Sequence, residues 1–276
     1  MQIVFIDNTN VSQPITTNIG SPQGCILSPF LFSLYTNEMR SHHKDVNVIK
    51  YAEDTLIMGQ IYDDDDIQYV TAINYIIEWC CENQLHLNER KTKELIIDFR
   101  KNKNPYQNVK INHSHVEVVS NFKYLGLTID NKLSFDIQAQ NIIRKIAQRR
   151  HLVFQLHNLN VERRIITTAY NAFVRTVIQY CLPCYYFFLK KKYQDKLKRS
   201  FERYSSVNTP SMDQYLTSAS LNFIHHLHAM KNHSLNDYLQ FLPSGHRLSV
   251  PFCRTSRFQK SLVVQSILKW NNEKKR

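Results

Sequence analysis

The feature that most constrains this chain is the tetrapeptide Tyr51-Ala52-Glu53-Asp54, which sets two adjacent carboxylates between two apolar runs. Val46-Asn47-Val48-Ile49-Lys50 comes before it and Thr55-Leu56-Ile57-Met58 after it. Both runs have the length and β-branched content of short strands, so the acidic pair is expected at or near a β-hairpin turn. Neighbouring carboxylates on a rigid hairpin end can share a divalent cation. That geometry suits phosphoryl transfer, in which Mg²⁺ ions clamp the attacking and leaving oxygens. Taken alone, the tetrapeptide favours a plainer reading, a solvated turn, because Asp hydrogen-bonds locally in turns.

The acidic pair has company. Upstream lies Gly20-Ser21-Pro22-Gln23-Gly24-Cys25-Ile26-Leu27-Ser28-Pro29, followed by the apolar run Phe30 to Tyr35. Downstream lie Trp79-Cys80, Leu87-Asn88-Glu89-Arg90-Lys91-Thr92-Lys93, and Phe122-Lys123-Tyr124-Leu125-Gly126. In this order the set resembles the second half of a reverse transcriptase of the non-LTR (LINE-like) retrotransposon family, from about Ile15 to the region of Arg254-Thr255-Ser256-Arg257. Each motif is only moderately specific, and the specificity lies in the order of all five. The resemblance implies an α/β fold: an incomplete right-hand polymerase palm, an antiparallel sheet with helices, followed by a mainly α-helical thumb.

It also implies roles. Pro22, Gln23 and Gly24 would contact the nascent base pair. Tyr51, Glu53 and Asp54 would form the catalytic box, with Glu53 and Asp54 holding Mg²⁺. Lys91 would face the pyrophosphate leaving group; a surface lysine at a strand edge is the equal alternative. Tyr124, Leu125 and Gly126 would grip the primer. The partners would be an RNA template, a DNA primer or hybrid duplex, and deoxynucleotides in an active enzyme. Two departures bear on activity. The family's catalytic Asp on an earlier strand has no counterpart in the nineteen residues before Gly20, where Asp7 is the sole acidic residue. Glu53 stands where the family has Asp, which moves the carboxylate out by one methylene, and a two-metal site tolerates misplacement poorly. The expectation is a 5′-truncated, catalytically incomplete copy. The alternative function is a non-enzymatic remnant that binds nucleic acid.

Charge sharpens the division. Residues 1–130 carry 11 Lys/Arg against 16 Asp/Glu, a balance of −5, and residues 131–276 carry 24 against 7, a balance of +17. An acidic lobe followed by a basic one suits a metal site beside a nucleic-acid cradle. We therefore expect a partial palm over 1–130, a helical thumb-like region over 131–204, and a basic C-terminal region over 205–276. Six cysteines lack the spacing of a secreted disulfide framework, and no apolar run is long enough to span a bilayer. The expectation is an intracellular protein, nuclear or cytoplasmic, with reduced thiols and no membrane partner; the sequence does not indicate an oligomeric state. Cys181-x-x-Cys184 is followed by histidines only some forty residues later, so packing thiols are favoured over zinc ligands.

Along the chain, Ser28 and Pro29 look like the N-cap and first residue of a helix reaching about Ser41, with Phe30 and Leu34 inward. Asp63 to Asp66 read as a loop and helix start, with Asp65 or Asp66 as cap. Val70, Ile73, Ile77 and Cys80 or Cys81 recur at helical spacing, with Trp79 also in the core. Glu94 to Phe99 and Phe122 to Asp130 read as strands, the latter with Gly126 at a close backbone approach. Residues 109–118 read as a second hairpin. From Phe135 the pattern is helical, with Ile142, Ile146 and Leu152 or Val153 on one face. Arg144, Lys145, Arg149 and Arg150 lie elsewhere; the resemblance to the family's thumb helices implies that they hold duplex phosphates without regard to sequence. Lys190 to Arg203 is a dense basic stretch, either a phosphate-binding or nuclear-localisation patch or a solvated face. The tail from Ser205 shows little pattern.

Overall fold

The computed structural model describes residue 13 and residues 25–101, 106, 109–112, 114–204, 209–230 and 233–274. The chain divides into two compact units, one of Met1–Glu94 with Asn102–Glu117, the other of Leu95–Lys101 with Val118–Arg276.

In the first unit, helix α1 spans Leu27–Tyr35 and buries none of its residues. Phe30 and Leu34 are more than half exposed, which corrects the expectation that they point inward. Ile26, not Ser28, stands at the N-cap, and no side chain caps the helix. Strands β1 (Val46–Tyr51) and β2 (Asp54–Gly59) pair antiparallel, Val46 opposite Gly59 and Tyr51 opposite Asp54. Period-2 alternation turns Val48 and Ile57 toward helix α2 (Ile67–Glu82), whose Ile76, Trp79 and Cys80 form a small core with Met39. Ile73 of α2 joins a second cluster with Val109, Ile111 and Val116.

Before α2, Asp63 and Asp64 both hold positive φ, so Tyr62 to Asp65 closes a tight turn. The Asp65 carboxylate accepts the Ile67 N–H at 3.1 Å and satisfies one orphan donor of the helix start. The strand expected over Glu94 to Phe99 shrinks to β3 (Lys93–Glu94). The second hairpin pairs β4 (Lys110–Ile111) with β5 (Ser114–His115), and β6 covers Glu117–Val118.

In the second unit, β7 (Asn121–Tyr124) and β8 (Leu127–Asp130) form a hairpin, where one continuous strand was expected. Leu125 at φ 45° and Gly126 at φ 84° make its two-residue turn, the combination a type I′ turn requires. Asp130, 6% exposed, then redirects the chain. Its carboxylate accepts N–H groups from Lys132 at 3.0 Å, Ser134 at 3.1 Å and Phe135 at 2.7 Å, and the Ser134 hydroxyl at 3.2 Å. These bonds hold Leu133 and Phe135 at positive φ and launch helix α3 (Asp136–Asn158).

Ile142, Ile146 and Val153 of α3 enter a core built by three helical segments together with Met212 and Leu216 further along the chain. The first is α4 (Arg163–Tyr170), a π-helical stretch Asn171–Arg175 and α5 (Thr176–Gln179), running without a break. The others are α6 (Leu182–Tyr185), followed by a 3-10 turn Tyr186–Phe188, and α7 (Lys191–Phe201). Arg175 is buried in the π-helical stretch, its guanidinium 3.9 Å from the centre of the Phe201 ring and donating to the Pro210 carbonyl.

The tail is better patterned than its composition suggests. Helix α8 (Met212–Ala229) opens with a capping box in which Gln214 N–H donates to Ser211 Oγ and Ser211 N–H to Gln214 Oε1. Its Ile224 packs with Leu248, Val263 and Ile267, and so joins α8 to α10 (Leu262–Glu273), which follows the short helix α9 (Ser256–Gln259). Asn271 clamps Leu248 through two 2.8 Å bonds.

Two outcomes test this description. Asp130→Asn keeps the shape but loses the charge that four donors share, and should cost about 3 kcal/mol in urea unfolding, since bonds to charged groups contribute about 1.5–3 kcal/mol each. A cost under about 0.5 kcal/mol would remove Asp130 from this role. The exposed apolar face of α1 should drive self-association. In sedimentation experiments, Phe30→Ser with Leu34→Ser should shift the chain toward monomer, whereas an unmodified chain that stays monodisperse at high concentration contradicts it.

Candidate active site and nucleic-acid interface

The inner face of the β1–β2 hairpin is tied to α2, which leaves its Ala52–Glu53 turn projecting beyond the paired rungs. Ala52 holds φ at 49°, a conformation that costs a non-glycine residue about 1 kcal/mol and is repaid by closing a two-residue loop. Glu53 sits in the loop and Asp54 on the first rung, opposite Tyr51. All three are exposed. Neither carboxylate takes a hydrogen bond or ion pair from a described residue. The neighbouring Lys50 does not neutralise them: its ammonium donates to the Thr36 carbonyl, and burial lowers its pKa. The turn therefore presents two uncompensated anionic oxygen donors.

Hard carboxylate oxygens suit Mg²⁺, which keeps several waters and takes one or two carboxylates alongside substrate phosphates. Glu53 and Asp54 fit that donor type. Among the described residues no group of three or more His, Cys, Asp or Glu is placed to hold a metal ion, so the pair supplies part of a coordination shell. Pro22, Gln23 and Gly24 lie outside the described residues, as does Asp7.

Lys91 is exposed in a turn closed by Asn88, whose side chain accepts the Lys91 N–H at 3.1 Å. Lys93 pairs with Glu117 at 2.6 Å. The next residue, Glu94, escaped the sequence reasoning. It is half-buried, and its side chain hydrogen-bonds Tyr69. Burial, with a smaller push from Asp66, raises its pKa against the opposing pull of Tyr69 and the Val109 backbone. Burial chiefly, then Glu94, push the Tyr69 hydroxyl up as well. Tyr69 lies against Gly59, where a Cβ would come within 2.5 Å of the ring. Gly59 is five residues along the strand from Asp54, roughly 16 Å at about 3.3 Å per residue, so this pair sits at the hairpin end remote from the acidic turn.

In the second unit, the Tyr180 hydroxyl donates to the Leu125 carbonyl, and a Cβ on Gly126 would stand 3.3 Å from the Tyr180 ring. Gly126 is thus needed for a tight turn and for a neighbour within its own unit. At about 100° per residue, Arg144 lies opposite the buried stripe of α3, Lys145 to one side, and Arg149 and Arg150 flank the stripe. Arg149 is half-buried and donates to the Phe173 carbonyl at 2.7 Å. Arg144, Lys145 and Arg150 are exposed. The basic stretch is partly spent on ion pairs: Lys190 with Asp136, Lys191 with Asp195, and Lys198 with Asp213. All six cysteines are free thiols. Among the described residues no helix is long and apolar enough to cross a membrane.

Residues 2–129 match the reverse transcriptase (RNA-dependent DNA polymerase) family. The RNA-directed DNA polymerase from mobile element jockey of Drosophila melanogaster is 25% identical over 182 residues, 60% of this chain and 19% of that protein. The chain thus spans about a fifth of that relative's length. No solved structure matches it significantly. Residues 2–129 are thus a segment of reverse-transcriptase sequence.

The Glu94 environment yields a pH prediction. Its folded pKa stands above the unfolded one, so its contribution to stability is fully present below about pH 4.5 and is lost as pH rises through the raised value. Glu94→Gln, which mimics the neutral acid, should melt higher than the unmodified chain near pH 7, and the gap should close on acidification. An equal or widening gap toward low pH would contradict the assignment.

Proposed function

We propose that this chain takes part in RNA-directed DNA polymerisation, holding a primed template through its basic second unit and presenting Glu53 and Asp54 to the reacting phosphates. The observation that carries this reading is the pair of uncompensated carboxylates on a two-residue hairpin turn, inside a segment of reverse-transcriptase sequence. Mg²⁺, when bound, would supply charge neutralisation at the α-phosphate attacked by a primer 3′-hydroxyl. The chain's own residues position and hold. Glu53 and Asp54 offer oxygen ligands, and Tyr51, on the rung opposite Asp54, flanks them. Lys91 is a cation for the departing pyrophosphate. Tyr124, Leu125 and Gly126 form a hairpin tip for the primer end. Arg144, Lys145 and Arg150 meet phosphates of the duplex, while Arg149 anchors α3 to the neighbouring helix. Template RNA, primer DNA and deoxynucleotides are the partners of this reading, and it places the chain inside the cell.

Two carboxylates are too few for a two-metal site, and each missing ligand weakens transition-state stabilisation. Residues 1–276 alone should therefore bind a primed template yet incorporate no nucleotide in Mg²⁺. Binding to two unrelated duplexes should be comparable and salt-sensitive, with log K falling against log salt at a slope near −5 for about six phosphates, at about 0.9 each. Arg144→Glu, Lys145→Glu and Arg150→Glu together should flatten that slope for both duplexes. Robust incorporation would show that another carboxylate completes the site. Affinity that is flat with salt, or absent at low salt, would refute the nucleic-acid assignment.

A further inference from the structure

The segment Arg254-Thr255-Ser256-Arg257 has no role in the reading above. The fold brings its last three residues against the loop between β8 and α3, and a cleft of about 310 Å³ lies between them, within the second unit. We propose that this cleft is an oxyanion subsite that takes one backbone phosphate of the bound nucleic acid. The inference rests on the nucleic-acid reading and deepens it by fixing one contact point.

Three cations line the cleft, Lys132, Arg257 and Lys260, and no carboxylate does. None of the three is ion-paired among the described residues, in contrast to Lys190, Lys191 and Lys198 of the basic stretch. Their charge is therefore available to a ligand. The two carboxylates nearest in sequence are committed elsewhere: Asp130 is saturated by its own loop, and Asp136 pairs with Lys190.

The remaining lining suits a phosphate. Thr255 Oγ accepts the Phe258 N–H at 3.1 Å, which leaves its own O–H to donate, and Ser256 adds a second hydroxyl. Arg257 is pre-set, since its guanidinium stacks 3.6 Å from the centre of the Phe99 ring. Stacking holds the plane of the guanidinium and leaves its edge N–H groups for an oxyanion. Leu133 and Phe188 make an apolar wall, with Phe188 held against Phe135 at 5.5 Å. A low-dielectric wall beside cations focuses their field into the cleft. Lys132 and Leu133 themselves are fixed by the Asp130 loop. The result is a preorganised cationic site, unlike the cations of α3, which spread around a helix.

The test is amine labelling of the full unmodified chain, read by mass spectrometry at each lysine, with inorganic phosphate or an RNA–DNA hybrid duplex as probe. Both probes should slow labelling of Lys132 and Lys260 at least threefold, and phosphate should leave the exposed Lys192 unaffected. Arg257→Gln should abolish the protection by phosphate and flatten the duplex salt slope by about one, the share of a single phosphate. A duplex that binds without slowing labelling at Lys132 and Lys260 overturns the subsite and leaves the nucleic-acid reading standing. Protection by phosphate in a chain that binds no duplex overturns the nucleic-acid source, and with it the proposed function. Should Arg257→Gln fail to fold, the footprint of the unmodified chain decides alone.

Discussion

Much of the second unit depends on one buried carboxylate. Asp130 ends β8, and without it the next five residues would carry several unsatisfied N–H groups and two left-handed non-glycine residues into a core. By collecting those donors it points Phe135 into the helical core and starts α3 at a defined angle. The same loop presents Lys132 and Leu133 to the cationic cleft. A single side chain thus links the β7–β8 hairpin, the helices behind it and a candidate phosphate contact.

Two of the contact regions named by motif, the acidic box and Tyr124-Leu125-Gly126, are tips of two-residue hairpins. At Ala52–Glu53 and at Leu125–Gly126, the right-handed twist of the strands selects turns with positive φ. Such tips are short and rigid, and each is braced from behind: the first by α2, the second by Tyr180. Bracing limits side-chain positions without burying them, which is what a group meeting a large polyanion requires. Electrostatics divides the labour. The first tip is anionic and uncompensated, suited to cations, while Lys132, Arg257 and Lys260, unpaired among the described residues, gather in the second unit.

Legibility from sequence followed the strength of local signals. The β1–β2 hairpin, helix α2 with Trp79 inside, and the buried stripe Ile142, Ile146 and Val153 were readable because period-2 and period-3.6 patterns are long there. Helix α1 was misjudged because its residues are apolar all round, so composition carried no face. Gly126 was read as a strand glycine because the hairpin turn needs only two residues, Leu125 and Gly126, and Leu is a poor turn signal. Helix α8 did carry one, the Ser211-x-x-Gln214 capping box, together with Leu216, Ser220, Ile224 and Leu227 at helical spacing. The polar, histidine-rich composition hid it. Glu94 and the Lys132–Arg257 cleft were beyond reach, since each is made by residues distant in sequence.

In the proposed function, nucleic acid meets the hairpin tips and the cationic surface of the second unit. Hydrogen–deuterium exchange on the full chain, free and with a primed RNA template, tests it most directly. Exchange should slow over 50–55, 124–127, 131–135 and 255–260, with the buried stripe of α3 unchanged. Binding that leaves those four segments unaltered, or that protects only the α7 lysines, would contradict it.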